Sequence, residues 1–204
     1  MKNLLRTALF TSCLFGVQPA HAEAETYTFD KAHTQVIFFV NHLGFSNSAG
    51  KFLDFDGSFT FDQAEPAKSS VKVTFKVAGL DMDDEKWDEH LKGTDFFNVE
   101  KFPEMTFNST AIEVTGENTA NITGDLTLLG VTKPVTLSVT HNKSGKHPFG
   151  DKYVSGFSAT ASLKRSDFGM NYGLPMVGDD VQIRIEVEGL REEPAASDGA
   201  SENK

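Results

Sequence analysis

Val181-Gln182-Ile183-Arg184-Ile185-Glu186-Val187-Glu188 puts an apolar side chain at every second position and a polar one between. A period of two marks a strand with one face against a core and the other in water. The same alternation runs backwards through the chain. Leu53, Phe55, Gly57, Phe59 and Phe61 alternate with Asp54, Asp56, Ser58 and Thr60, and Val71, Val73, Phe75 and Val77 with Lys72, Thr74 and Lys76. Ile122, Gly124, Leu126 and Leu128 alternate with Thr123, Asp125 and Thr127, and the pattern recurs in Val135-Leu137-Val139 and Phe157-Ala159-Ala161-Leu163. Val36 to Leu43 and Met105 to Val114 bring the total to about eight strands, separated by turn-rich segments such as Thr115-Gly116-Glu117-Asn118 and Ser144-Gly145-Lys146. Eight antiparallel strands with one apolar face each predict an all-β, up-and-down barrel, with a two-sheet sandwich as the alternative that the same pattern allows.

One stretch breaks the period. Asp83 to Lys92 reads as a short helix, with Asp83, Asp84 and Glu85 at its N-terminal dipole and Gly93 at its end. Trp87, His90 and Leu91 share a face of it, and that face is expected to pack over one end of the barrel.

Residues 1–22, MKNLLRTALFTSCLFGVQPAHA, have the parts of a cleaved secretory signal peptide: basic Lys2 and Arg6, an apolar run from Leu9 to Val17, and Ala20-His21-Ala22 as the cleavage site. Cleavage after Ala22 predicts a periplasmic protein with no stable membrane insertion, because no later apolar run is long enough to span a bilayer. Phe10-Thr11-Ser12 ahead of Cys13 does not form a lipoprotein box. Cys13 is the one cysteine of the chain, so the mature protein has neither disulfides nor thiolate chemistry. The signal also takes two of the 19 basic residues, leaving 17 against 29 acidic ones and moving the formal net charge from −10 to −12. Nucleic acid and anionic lipid surfaces are poor partners for such a chain. Residues 23–190 form one expected domain with no linker inside it, and residues 191–204, REEPAASDGASENK, read as a disordered acidic tail.

Motifs for chemistry are missing. The chain has no G-x-S-x-G, no G-x-G-x-x-G, no P-loop and no H-E-x-x-H. Of the five histidines beyond the signal, His33 and His42 belong to the first strand region, His90 to the helix, and His141 and His147 flank an expected turn, none at compact ligand spacing. Asp88-Glu89-His90 points in different directions on a helix and reads as a solvated acidic face, with His90 against Trp87. No metal and no cofactor is expected.

What remains is the apolar face. Eighteen phenylalanines, two of them in the signal, are the outlier of the composition. Phe38, Phe55, Phe59, Phe61, Phe75, Phe107 and Phe157 either fill the core of an interaction domain or line a cavity for an apolar ligand, and Gly57, Gly124, Ala159 and Ala161 fit both readings. Ile37 and Phe39 make the outer face of the first strand apolar too, which suits a homodimer contact, a donor membrane, or cover by the N-terminal segment.

Asn41-His42-Leu43-Gly44-Phe45-Ser46, followed by Gly50-Lys51-Phe52 and Phe55-Asp56-Gly57, resembles the opening of the YceI-like family of exported polyisoprenoid-binding proteins. The likeness continues through His90-Leu91-Lys92-Gly93-Thr94-Asp95-Phe96-Phe97, through Phe102-Pro103-Glu104-Met105-Thr106-Phe107-Asn108-Ser109-Thr110, and through Gly124 to Val135, closing with Arg165-Ser166-Asp167-Phe168-Gly169. It covers about Thr26 to Leu190 in the family's order. The resemblance implies a lipocalin-like, eight-stranded barrel that is not an enzyme and holds a long isoprenoid lipid, such as a quinone or a polyprenyl lipid. Under it the cavity wall would comprise Phe38, Val40 and His42; Phe55, Phe59 and Phe61; Val73 and Phe75; Phe107; Leu126 and Leu128; Leu137; Phe157; and Ile183 and Ile185, with His42 as a polar contact for a head group. A lipid-modifying enzyme would instead depend on His42, or on Arg165 with Asp167.

Overall fold

The computed structural model describes residues 24–193. The expected signal peptide and nearly all of the expected tail lie outside them. The strands are β1 (Glu25–Phe29), β2 (Gln35–His42), β3 (Ser46–Phe52), β4 (Phe55–Phe61), β5 (Ser70–Lys76), β6 (Leu80–Asp81), β7 (Glu104–Gly116), β8 (Thr119–Leu128), β9 (Val131–Lys146), β10 (Tyr153–Lys164) and β11 (Val177–Arg191), with one helix, α1 (Glu85–Lys92).

These segments form a ring of eight antiparallel strands, because three places in the ring are each filled by two segments, of which β1, β3 and β6 were not among the expected strands. β1 and β2 both pair with β11, β3 pairs with β2 while β4 pairs with β1, and β6 pairs with β3 while β5 pairs with β4. From β5 the order runs β7, β8, β9, β10, β11, and β11 returns to β1. The barrel is closed and up-and-down, so the sandwich alternative falls.

Each break has a local cause. Asp30 turns the chain between β1 and β2, its Oδ1 accepting the Ala32 N–H at 3.0 Å and its carbonyl the His33 N–H at 3.1 Å. At the second break the Leu53 N–H donates to Gly79 O and Asp54 O accepts from the Lys76 N–H, so the two breaks of neighbouring strands are stitched together. The alternation also changes phase there: Phe52 and Phe55 are buried while Leu53, expected on the inner face, is 60% exposed. A strand that bends in this way puts two successive odd-and-even positions inside.

Three further expectations are corrected. Ser144-Gly145-Lys146 is not a turn but the end of β9, paired with Val154 and its neighbours on β10. The helix starts two residues later than expected, with the Asp84 side chain accepting the Trp87 N–H as its N-cap. Pairing of β11 runs on through Arg191 opposite Tyr27, and the Glu192 N–H donates to Thr26 O, so the sheet extends past the expected domain end at 190.

The topology defines two barrel ends. The helical end gathers the 43–45 turn, the 82–103 stretch with α1, the 129–130 turn and the 165–176 connection; the far end gathers the 62–69, 117–118 and 147–152 turns. Some of the small residues among the phenylalanines serve packing. A Cβ on Gly124 would lie 2.4 Å from the Phe107 ring, and one on Gly189 would lie 2.3 Å from Phe59.

Candidate functional site

Strand after strand turns its apolar positions inward, but the rings do not fill the barrel. A cavity of about 700 Å³ remains, reaching from Trp87, His90 and Tyr172 at the helical end to Glu117, Asn118 and Gln63 at the far end. That volume is in the range of small-molecule sites. The fifteen residues expected on its wall are all there: Phe38, Val40 and His42 from β2, Phe55, Phe59 and Phe61 from β4, Val73 and Phe75 from β5, Phe107 from β7, Leu126 and Leu128 from β8, Leu137 from β9, Phe157 from β10, and Ile183 and Ile185 from β11.

Val36, Val71, Ile122, Val135, Val139, Val181 and Val187 also line the cavity, in phase with those fifteen and on the apolar strand faces that the period of two marked. Met82, Phe96, Phe97, Met170 and Tyr172 carry no such signal, since they reach the wall from irregular segments of the helical end. The helix face expected to pack over that end does so, with Trp87, His90 and Leu91 all on the cavity wall. The His90 ring rests edge-on against Phe96 and Tyr172, at 5.3 and 6.0 Å between centroids, and Trp87 faces His42 instead, at 5.9 Å.

His141 does not flank a turn. It lies within β9, on the cavity wall, with its ring 5.0 Å from Phe61 and 5.1 Å from Phe157. Its Nε2 is 2.8 Å from Ser144 Oγ, which is 2.6 Å from the buried Ser155 Oγ. Burial pushes the pKa of His141 down, so the imidazole is neutral at pH 7 and adds a polar atom to the wall without a charge.

Arg165 is also on the wall, 3% exposed. Its guanidinium donates to four backbone carbonyls: Nε to Gly178 at 2.7 Å, Nη1 to Met170 at 3.0 Å and Tyr172 at 2.9 Å, and Nη2 to Val177 at 2.9 Å. These bonds fold the 165–178 connection around the side chain. They also engage the donors that an Arg165–Asp167 acid–base pair would need. Asp88 is turned away from His90 as well, accepting the Met82 N–H at 2.6 Å and facing Lys92 at 3.9 Å.

Outside the cavity, Asp30, His33 and Glu188 bring one donor atom each within 4.8 Å of one another at the first strand break. His33 Nδ1 and Asp30 Oδ2 already bond at 3.0 Å within the turn, an arrangement that closes the turn without an ion. Ile37 and Phe39 are half-buried on the outer face of β2, between Arg184 and Lys51 and between Gln182 and Ala49. Among the described residues no helix is long and apolar enough to cross a membrane.

Residues 27–189 match the family model described as the YceI-like domain. A UPF0312 protein of Ectopseudomonas mendocina and one of Azotobacter vinelandii are each 42% identical to this chain over 194 residues, which is 94% of this chain and all of theirs. Among solved structures, BcnA of Burkholderia cenocepacia aligns at a TM-score of 0.72 with 30% identity, covering 78% of this chain and 98% of its own. The YceI protein of Campylobacter jejuni aligns at 0.68 with 35% identity, over 82% and 98%. A polyisoprenoid binding domain from Saccharophagus degradans shares the fold at a TM-score of 0.63 with only 9% identity, over 83% of this chain and all of its own.

Proposed function

This chain belongs to the YceI-like domain family, and from that premise we propose that it is a periplasmic carrier holding a long isoprenoid lipid, of the quinone or polyprenyl type, inside its barrel. The observation that carries the reading is the cavity of about 700 Å³, apolar along its length and continuous from one barrel end to the other. Such a space takes an extended chain better than a compact ring system. Transfer of apolar surface from water supplies roughly 25 cal/mol per Å², so each isoprenoid unit adds affinity without any polar contact. Chain length is then read by cavity depth, and selection among isoprenoids is loose. His42 at the helical end and His141 nearer the far end are two of the polar groups on the wall that a head group could meet, with His90 and Tyr172 beside the first and Glu117 and Asn118 beyond the second. The description of the Saccharophagus degradans domain as polyisoprenoid binding supports the ligand class, and the signal-peptide pattern in the sequence of residues 1–22 supports export.

The test is detergent-free purification from the periplasm, organic extraction and mass spectrometry, repeated for Ile183→Trp. The indole adds apolar bulk where the cavity leaves room, so the variant should keep its melting temperature and lose its lipid. A stoichiometric isoprenoid in the wild-type extract, absent from the variant, is the expected result. An empty wild-type extract together with no uptake of ubiquinone added from ethanol would overturn the proposal.

A further inference from the structure

The helical end is unusual in where it leaves its apolar side chains. Leu43, Phe45, Trp87, Tyr172 and Met176 are all exposed there, Phe45 at 90% and Met176 at 67%. They form one collar. The Leu43 N–H donates to Met176 O at 3.1 Å, the Trp87 ring lies tilted beside His42 next to that turn, and Tyr172 meets His90 one helical turn from Trp87. Trp87 and Tyr172 are at once exposed and on the cavity wall, so the collar is the outer rim of the cavity itself.

Leu43, Phe45 and Met176 belong neither to the buried apolar clusters nor to the cavity wall, so core packing does not require them to be apolar. Leu43 even adopts a positive φ of 56°, costly for a bulky side chain, in the turn that holds Phe45 out in water. The charge pattern is as telling. Residues 168–178, FGMNYGLPMVG, and 43–50, LGFSNSAG, contain no charged side chain, although 24% of the chain is charged. The far-end turns carry Asp62, Glu65 and Lys68, Glu117, and Asp151 and Lys152. Around α1 the acids Asp83, Asp84, Glu85 and Glu89 outnumber Lys86 and Lys92. An uncharged apolar rim bearing Trp and Tyr, next to an acidic helix, suits the interface of an electrically neutral bilayer and is repelled by an anionic one.

We propose that the collar of the helical end docks on the surface of a zwitterionic lipid bilayer and is the portal through which the cavity exchanges its lipid. The docking rests on its own geometry; the exchange rests on the carrier reading above. A lipid passing through this portal leaves the bilayer without its chain crossing water, which removes the main barrier to transfer.

Trp87 is the one tryptophan of the chain, so its emission reports docking without a label. Wild-type protein mixed with phosphatidylcholine vesicles carrying brominated chains should show a blue shift and quenching, weaker with phosphatidylglycerol vesicles. F45S/M176S should partition roughly tenfold more weakly or worse, from the apolar area removed, and should exchange ubiquinone with vesicles correspondingly more slowly. F149S, at the far end, should match wild type. Quenching that is absent in wild type, or undiminished in F45S/M176S, overturns the proposal. So does a blue shift that grows with protein concentration in the absence of vesicles and accompanies dimerisation in sedimentation, which assigns the collar to a second copy of the chain. The carrier reading fails separately: vesicle docking by a wild-type protein that takes up no ubiquinone would leave the collar as a docking surface and refute the cargo.

Discussion

Tyr27 and Phe59 lie face to face, their ring centroids 5.0 Å apart and their planes within 3° of parallel, as directly paired residues of β1 and β4. Phe157 meets Phe59 edge-on from the far side at 5.4 Å. Gly189 provides the room, standing opposite Phe29 in the seam where β11 closes the barrel onto β1. The closing seam is thus packed around a missing side chain, and Tyr27 is left with no exposed surface, its hydroxyl donating to Glu25 Oε2 at 2.8 Å.

Gly189→Ala should therefore destabilise the barrel by about 1–3 kcal/mol through overpacking, since its Cβ would stand 2.3 Å from Phe59 Cζ. Urea unfolding checks it. A midpoint equal to wild type would mean that the Phe59 ring swings into the cavity, and lipid uptake would then fall instead.

Phe75→Asp should cost about 3–5 kcal/mol at pH 7, because it replaces a ring packed 5.8 Å from Phe52 and 5.9 Å from Phe55 with an unpaired carboxylate on an apolar wall. Burial would raise the pKa of the new acid in the folded state. Its penalty is therefore smallest below the unfolded value of about 3.9 and grows as pH rises through the folded one. Thermal melts at pH 4 and pH 7 should show the variant gaining on wild type at the lower pH.

The period of two made the ring of strands and the inner positions legible, because a half-buried strand has to alternate. It failed where the chain bends. Leu53 kept the phase of Phe55 on paper, but the break after Phe52 shifted that phase by one residue and put Leu53 in water. Ser144-Gly145-Lys146 has turn composition, yet the pairing of β9 with β10 recruits it into the ladder. Met82, Phe96 and Tyr172 were beyond any local pattern, since only the folding of α1 and the 165–178 connection over the barrel end brings them to the cavity. The clue to that connection was a single buried arginine, whose hydrogen-bond partners are backbone carbonyls that no sequence motif encodes.

Arg165→Met should leave the carbonyls of Met170, Tyr172, Val177 and Gly178 without their side-chain donor, at a cost of roughly 3 kcal/mol or more. Arg165→Lys should recover only part of it, since one ammonium cannot copy a planar fork of donors. Hydrogen exchange is the discriminating measurement: protection should fall first over residues 166–178. Uniform loss across all strands would instead mean that the guanidinium supports the whole barrel.

Asp179 fastens the same connection from the other side, its Oδ1 accepting the Ser166 N–H at 2.9 Å and its Oδ2 the Ser166 hydroxyl at 2.8 Å. The Ser166 N–H above all holds this carboxyl below the usual carboxylate range; burial, the next largest influence, opposes it, and the Ser166 hydroxyl and the charges of Lys164 and Arg165 add to the lowering. A carboxyl with a depressed folded pKa stabilises the protein fully above its unfolded value of about 3.9, and that contribution disappears as pH falls through the folded value. Asp179→Asn keeps the shape and loses the titration. The variant should melt a few degrees below wild type at pH 7, and the gap should narrow as the buffer is taken from pH 5 towards pH 2. A gap that stays constant over that range would assign the loss to hydrogen-bond geometry and not to the charge.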